Sequence, residues 1–394
     1  MIKLPNKTVF KLGLISFFTD IASEMVYPIT PIFLTTVLGA SMTSVGLIEG
    51  FAEALSGILK TFSGVWSDSI KRRKPFIILG YTASAFSKPL IGMSSLWLQV
   101  FSARSLDRIG KGIRTAPRDA LLAESSDGKT TGAVFGWHRF MDSLGAVLGP
   151  LLALLFLTLY QDSTSLRKVF YFAGIPGLMA ILIAFSVKDN TCWVENIRQS
   201  FRVQISKIWT APKMFQRYLF AWSLFSLSNS SDVFIILKMK SEGLSLSNII
   251  LIYCGFNFIY SISSLVLGHL SDRFGRKPFV VGGFFMFSLV YFGLSQATSV
   301  WQFCMLLSTY GLYMGATDGI GKAWALDMLD KDSKATGIGV LGSMTSLWTL
   351  TAGISAGLIW DYWGSTAVFL FGAYGSLFAA IMMSYFVRTT NANN

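Results

Sequence analysis

Residues 268–277 read Gly268-His269-Leu270-Ser271-Asp272-Arg273-Phe274-Gly275-Arg276-Lys277, and residues 64–73 read Gly64-Val65-Trp66-Ser67-Asp68-Ser69-Ile70-Lys71-Arg72-Arg73. Both stretches place a Ser-Asp pair after a glycine and follow it with clustered cations. The two aspartates are 204 residues apart (272 − 68). Lys129-Thr130-Thr131-Gly132 returns as Lys334-Ala335-Thr336-Gly337 at an offset of 205, and Ser23-Glu24 aligns with Ser231-Asp232 at 208. Near-constant offsets over most of the chain mean that one unit occurs twice.

Each copy of the loop lies between long apolar runs. A membrane-spanning helix needs about 20 mostly apolar residues. That window finds runs near 10–37, 44–66, 75–94, 96–116, 131–158 and 168–187. After a polar stretch it finds 217–238, 246–269, 278–296, 300–325, 335–359 and 366–387. The spacing predicts an all-α integral membrane protein with 12 transmembrane helices. The expected parts are a first six-helix bundle over 1–187, a cytoplasmic linker over 188–215 and a second bundle over 216–394. Composition agrees: hydrophobic residues are 52% of the 394 and charged residues 14%, against about 25% charged in a soluble chain. Thirty-three Phe and 11 Trp suit lipid contact and interfacial belts.

The net charge of +12 would suggest nucleic acid in a soluble protein. Here the cations sit in short loops between apolar runs, so the partner is an anionic bilayer surface and not nucleic acid. Lys71, Arg72, Arg73, Lys74, Arg118, Lys129, Arg273, Arg276, Lys277, Lys331 and Lys334 fall on one side if both termini are cytoplasmic. The connections near 38–43, 95–96, 297–299 and 361–365 carry no Lys or Arg. Arg167, Lys168, Lys238 and Lys240 run against that pattern. The expected location is therefore the inner membrane, multi-pass. The basic start of the chain reads as the lead into a first span and not as a cleaved signal, since no small-residue cleavage site follows. Cys192, Cys254 and Cys304 are far apart and only two His occur. Neither a disulfide framework nor a metal site is expected, and no cofactor is implied.

The repeated loop resembles the signature of the major facilitator superfamily, transporters assembled from internal repeats. The second copy matches its loop motif at every defining position. The first departs at Ser69 and Lys71, where the family usually has Arg and Gly. The resemblance implies two pseudo-symmetric six-helix bundles working as a monomer by alternating access. It also implies a gating latch at Asp68, Arg72, Arg73, Asp272, Arg273 and Arg276. In the 96–116 run, Arg104, Gly110 and Gly112 are similar to the family's Arg-x-x-x-Gly-x-Gly-x-Gly pattern, with Arg108 in place of the first glycine. Gly136, Gly145, Gly149 and Pro150 resemble its antiporter motif, with Ala153-Leu154 replacing the usual terminal glycines. Small residues at that spacing also serve plain helix packing.

Ionisable residues within the apolar runs carry the functional signal. A charge at the bilayer centre costs at least about 2.5–3.5 kcal/mol, so it must face water or a partner. Asp20 and Glu24 are one helical turn apart on one face. Arg104, Arg108 and Lys111 form a stripe with Asp107 beside it, and His138, Arg139 and Asp142 follow in the next run. Glu49, Glu53, Lys60 and Lys88 add charge to the first half, with Glu49 expected near the outer surface. The second half is sparser, with Asp232, next to Asn229, Ser230 and Ser231, then Lys238, Asp318, Lys322 and Asp327.

Guanidinium groups grip carboxylate or phosphate bidentately. The cationic stripe is neutralised either by internal carboxylates or by a bound anion. The substrate-binding candidates are Asp20, Arg104, Arg108, Lys111, His138 and Asp232. A buried carboxyl group can hold a proton near neutral pH, which makes Glu24 and Asp142 the proton-coupling candidates, with His138 as a relay. The same charges also suit purely structural ion pairs.

The expected function is secondary active transport of a small, at least partly anionic organic solute, such as a carboxylate-rich metabolite or a metal-chelating polycarboxylate of the siderophore class, coupled to protons. The alternative is efflux of drugs or amphiphiles by proton antiport. No nucleophile–base constellation or phosphate loop points to an enzyme or an ATP-driven pump.

Overall fold

A backbone in lipid must satisfy its own N–H and C=O groups, and a helix does this within a single segment. The computed structural model describes residues 6–70, 72–125, 131–160, 164–187, 211–329 and 334–387. Among these residues the chain is helical with no strand. Lys71, Lys129, Lys331 and the linker residues 188–210 lie outside the described residues.

Two compact units are present. One gathers Met1–Glu195 with Ile249–Cys254, the other Asn196–Asn248 with Gly255–Asn394. In the first unit, α1 (Lys7–Val26) leads through a turn into Thr30–Ile32 and a π-helical stretch, Phe33–Val37. Pro28 and Pro31 lack an N–H, so the regular ladder cannot pass through them. Then come α2 (Met42–Ile70), α3 (Lys74–Met93), α4 (Trp97–Glu124), α5 (Thr131–Leu159) and α6 (Ser165–Phe185). α1 packs on α5 and α6, α3 on α4 and α6, and α2 on α4.

Glycines set the closest approaches. A Cβ at Gly145 of α5 would lie 2.6 Å from the Phe17 carbonyl oxygen, and one at Gly149 would lie 2.8 Å from that of Ile21. Only glycine lets α5 sit this near α1, so the small residues of the antiporter-like motif have a packing role.

The second unit contains α7 (Lys213–Ser228), α8 (Val233–Ser241), α9 (Leu246–Phe274, except its Ile249–Cys254 segment, which belongs to the first unit), α10 (Arg276–Gln296), α11 (Val300–Asp327) and α12 (Lys334–Phe386). α10 packs on α11 and α12, and α7 packs on α12. α12 is broken at Gly364, whose φ of 84° is left-handed and suits glycine. Its arms, 334–363 and 365–386, fall on the runs read as 335–359 and 366–387. The run 217–238 is a broken helix, interrupted between Ser228 and Val233. α7 begins at Lys213, inside the stretch expected to be linker.

The repeat is visible in atomic detail. In α4, the Gln99 side-chain oxygen accepts from the backbone N–H groups of Ser95 and Leu96 at 2.8 and 3.2 Å. In α11, Gln302, 203 positions on (302 − 99), accepts from Thr298 and Ser299 at 2.9 and 3.0 Å. Each glutamine covers N–H groups that the first helical turn leaves without partners. Arg167, anomalous by the loop-charge pattern, donates from Nη1 to the carbonyls of Gly92 and Ser94 at 2.9 and 2.6 Å. It thus closes the C-terminus of α3, where a cation is favoured.

Eight helical stretches among the described residues are long and apolar enough to cross a membrane. The chain is a multi-pass membrane protein. α1, α4 and α11 fall outside that set, and α1 and α4 carry ionisable residues within their length.

Candidate functional site

In the first unit, α4 presents its cations to α2 and α3. Arg104 is bound bidentately by Glu49 of α2, with Nε to Oε1 at 3.0 Å and Nη2 to Oε2 at 2.6 Å. The two side chains are only 5% and 3% exposed. The expectation that Glu49 lies near the outer surface is therefore corrected: it is the buried counter-ion of Arg104. Fully desolvated, each member of the pair depends on the other. Asp107 is held by Lys88 of α3 at 2.7 Å, accepts from the Ser84 hydroxyl, and stands 3.6 Å from Arg104. Arg108 reaches Glu53 of α2 at 2.8 Å, and its buried Nε has no hydrogen-bond partner among the described residues. Near the end of the helix, Arg118 pairs with Asp119 at 2.8 Å.

Internal carboxylates thus neutralise Arg104 and Arg108, one of the two outcomes the sequence left open. Lys111 behaves differently. It is exposed, and its side chain makes no ion pair or hydrogen bond among the described residues.

The carboxylates of α1 and α5 form the other side of the arrangement. Gly145 and Gly149 draw α5 against Asp20 and Glu24: Cβ atoms placed there would lie 3.0 Å from the Cβ of each acid. The half-buried Asp20 has no hydrogen bond among the described residues. The charges acting on it are those of Asp142, Glu24, Lys111 and Arg114. Glu24 accepts from the Tyr253 hydroxyl at 2.8 Å. Asp142 accepts from the Ser16 hydroxyl and lies 3.4 Å from Nδ1 of buried His138, whose Nε2 has no partner among the described residues. Asp142 acts on Asp20 through its charge, whereas Arg108 turns toward Glu53 of α2.

In the second unit, Asp232 sits at the break between α7 and α8, where the Tyr310 hydroxyl donates to it at 2.6 Å. Asn229 donates to the Tyr313 hydroxyl at 3.4 Å, and Ser230 pairs with Tyr291 at 3.2 Å. Phe225 and Phe284 stack at 3.9 Å beside them, and Phe287 stacks on Tyr291 at 3.9 Å. Residue-by-residue reading for charge passed over Tyr291, Tyr310 and Tyr313. The available signal was a tyrosine deep in an apolar run, since a buried hydroxyl needs a partner.

The loop motif makes a matched pair of ion-pair chains, one in each unit. Arg73 bridges Asp68 at 3.0 Å and Glu124, at the end of α4, at 2.6 Å. Arg276 bridges Asp272 at 3.6 Å and Asp327, at the end of α11, at 3.0 Å. The bridging arginines are 203 residues apart (276 − 73), as are the terminal acids (327 − 124). Arg72 and Arg273 are exposed and have no partner among the described residues.

Comparison with known proteins accords with this geometry. A family model described as Major Facilitator Superfamily matches residues 12–253 and 219–394. An MFS-type transporter of Methanocaldococcus jannaschii is 34% identical over 386 residues, covering 96% of this chain and 95% of the relative. A probable 4-methylmuconolactone transporter of Cupriavidus pinatubonensis is 25% identical over 261 residues, 63% of this chain and 59% of that one. Among solved structures, the nucleoside transporter NupG superposes with a TM-score of 0.78 at 12% identity, over 97% of this chain and all of that one.

Proposed function

The chain belongs to the major facilitator superfamily, and from that premise we propose that it moves a small organic anion across the inner membrane by alternating access, driven by protons. It is a transporter and not an enzyme. In the proposed arrangement both termini are cytoplasmic, and bundles at 1–187 and 216–394 are joined by a linker at 188–215. The working protein is a monomer.

The observation that carries the reading is the concentration of ionisable side chains mid-helix in the first unit. Such charge within the bilayer marks a solute or ion pathway. Arg108, whose buried Nε has no partner among the described residues and whose counter-ion is half-exposed, and Lys111, with no counter-ion among the described residues, supply cationic contacts for the solute, with Asp20, His138 and Arg104 as the other candidates of the first unit; Asp232 is the candidate of the second unit. Glu24 and Asp142 carry the protons. An anion bound beside a carboxylate favours the protonated form of that carboxylate, so solute and proton travel together. The arginine chains at Asp68, Arg72 and Arg73 and at Asp272, Arg273 and Arg276 act as latches for one of two conformations.

The 4-methylmuconolactone transporter, a partial relative, is compatible with organic solutes of this size. Export of cationic drugs is disfavoured, since it calls for acidic groups in an otherwise apolar cavity and not a cationic stripe. The test is uptake and efflux in reconstituted vesicles with an imposed pH gradient, using a panel of organic anions and cationic dyes. Movement of anions that follows the gradient and is lost in Arg108→Ala is the expected result. Movement of dyes alone refutes the anion reading, and indifference to the gradient refutes proton coupling.

A further inference from the structure

The mid-helix charges of the first unit divide into a closed set and an open set. In the closed set, Glu49 neutralises Arg104, Asp107 neutralises Lys88, Glu53 neutralises Arg108 and Asp119 neutralises Arg118. In the open set, Asp20, Glu24 and Asp142 have no Lys or Arg within ion-pair distance among the described residues. Lys111 and Arg114 have no Asp or Glu. Lys111 lies at the midpoint of α4, and Asp142 is within a turn of the midpoint of α5. Lys111 and Asp142 are therefore at the depth where repeat-built transporters hold their solutes.

Arg114 is the most demanding member. It is 6% exposed, yet the only hydrogen bond of its side chain among the described residues is a long one, Nη1 to the Gly80 carbonyl at 3.4 Å. The guanidinium lies 4.5 Å from the centroid of the Tyr81 ring, and the buried Tyr81 hydroxyl has no partner among the described residues. A guanidinium offers five donors, and a buried cation without an anion is strongly disfavoured. Stacking fixes its plane and leaves its edge free to bind a planar anion bidentately. Among the acids, Glu24 accepts from Tyr253 and Asp142 from Ser16, whereas Asp20 has no hydrogen bond among the described residues. Asp20 also feels both Lys111 and Arg114.

An anion alone would neutralise Lys111 and Arg114 while adding repulsion at Asp20. A solute bearing both signs removes that conflict. With Glu24 and Asp142 protonated, the open set is reduced to two cations and one carboxylate.

We infer that Lys111 and Arg114 receive the anionic group, and Asp20 the cationic group, of a solute that carries both, an amino acid-like zwitterion or an amine-bearing polyacid. The inference rests on the anion-transport reading and narrows it.

The test is a thermal-shift screen of the purified full-length protein against matched triplets, for example 4-aminobutyrate, butyrate and butylamine. Uptake of every stabilising compound is then measured in proteoliposomes. Stabilisation and uptake confined to members carrying both charges is the expected result. Asp20→Asn then lowers the preference for the zwitterion over its des-amino partner by roughly tenfold to a hundredfold, while Arg114→Gln weakens both and Arg114→Lys restores part. Preference for acids lacking the amine overturns this inference and leaves the anion carrier standing. Preference for amines alone overturns both, and a screen in which no triplet member stabilises the protein overturns this inference.

Discussion

Replacing Glu49 with glutamine removes one charge from a buried bidentate pair and leaves the shape of the site almost intact. Arg104 and Glu49 are 5% and 3% exposed, with contacts of 2.6 and 3.0 Å. Removing one partner of such a pair costs about 3–5 kcal/mol, because the other charge stays behind in a poor solvent. Asp107, 3.6 Å from Arg104, offers partial compensation, so the lower end is expected, about 3 kcal/mol or roughly a hundredfold in the unfolding equilibrium. The assay is reversible unfolding in mixed micelles, with tertiary structure followed spectroscopically. Arg104→Met and the double variant with Glu49→Met complete a double-mutant cycle, and a coupling energy of at least ~1.5 kcal/mol is expected. Two apolar side chains in place of the pair leave no stranded charge, so the double variant should be more stable than either single one. A Glu49→Gln protein within about 0.5 kcal/mol of wild type would show that the pair is hydrated. The assignment of Arg104 and Glu49 as the clamp between α2 and α4 would then fail.

Three further outcomes are expected. Gly149→Val places its Cβ 2.8 Å from the Ile21 carbonyl oxygen, so α1 and α5 separate. Overpacking of this kind costs about 1–3 kcal/mol, and transport should be lost with membrane insertion retained; normal transport refutes the close-packing role. Arg73→Ala and Arg276→Ala each break a partly exposed chain worth under about 1 kcal/mol, and should change transport rates by less than about fivefold singly and more when combined. Additive behaviour on stability alone, with unchanged rates, would count against the latch. Asp142→Asn removes a proposed proton carrier, so uphill uptake driven by a pH gradient should disappear while solute exchange at equal concentrations persists. Uphill uptake that survives moves proton coupling elsewhere.

Local sequence carried the membrane class, the repeat and the helical runs. Hydropathy over about twenty residues reflects the solvent each segment prefers, and a duplicated Gly-x-x-Ser-Asp loop is visible without any knowledge of packing. The interruptions were harder to read. The break between Ser228 and Val233 contains no proline, and its polar residues looked like additions to a continuous helix.

Charge pairing depended on how helices rotate and stack against one another, which no local pattern contains. Arg104 could have met any of several acids, and it meets Glu49, 55 positions away, because α2 presents Glu49 to α4 and water is excluded around both. For the same reason Arg114, unremarkable within its run, emerges as a buried cation with no carboxylate beside it among the described residues. Tyr291, Tyr310 and Tyr313 likewise come from two helices to meet the broken segment of a third. The order of residues along the chain established that charges must be sheltered within the bilayer. Packing between helices selected which of them neutralise one another and which stay available to a solute, since Coulomb energy depends on separation in space and on local water, not on distance along the chain.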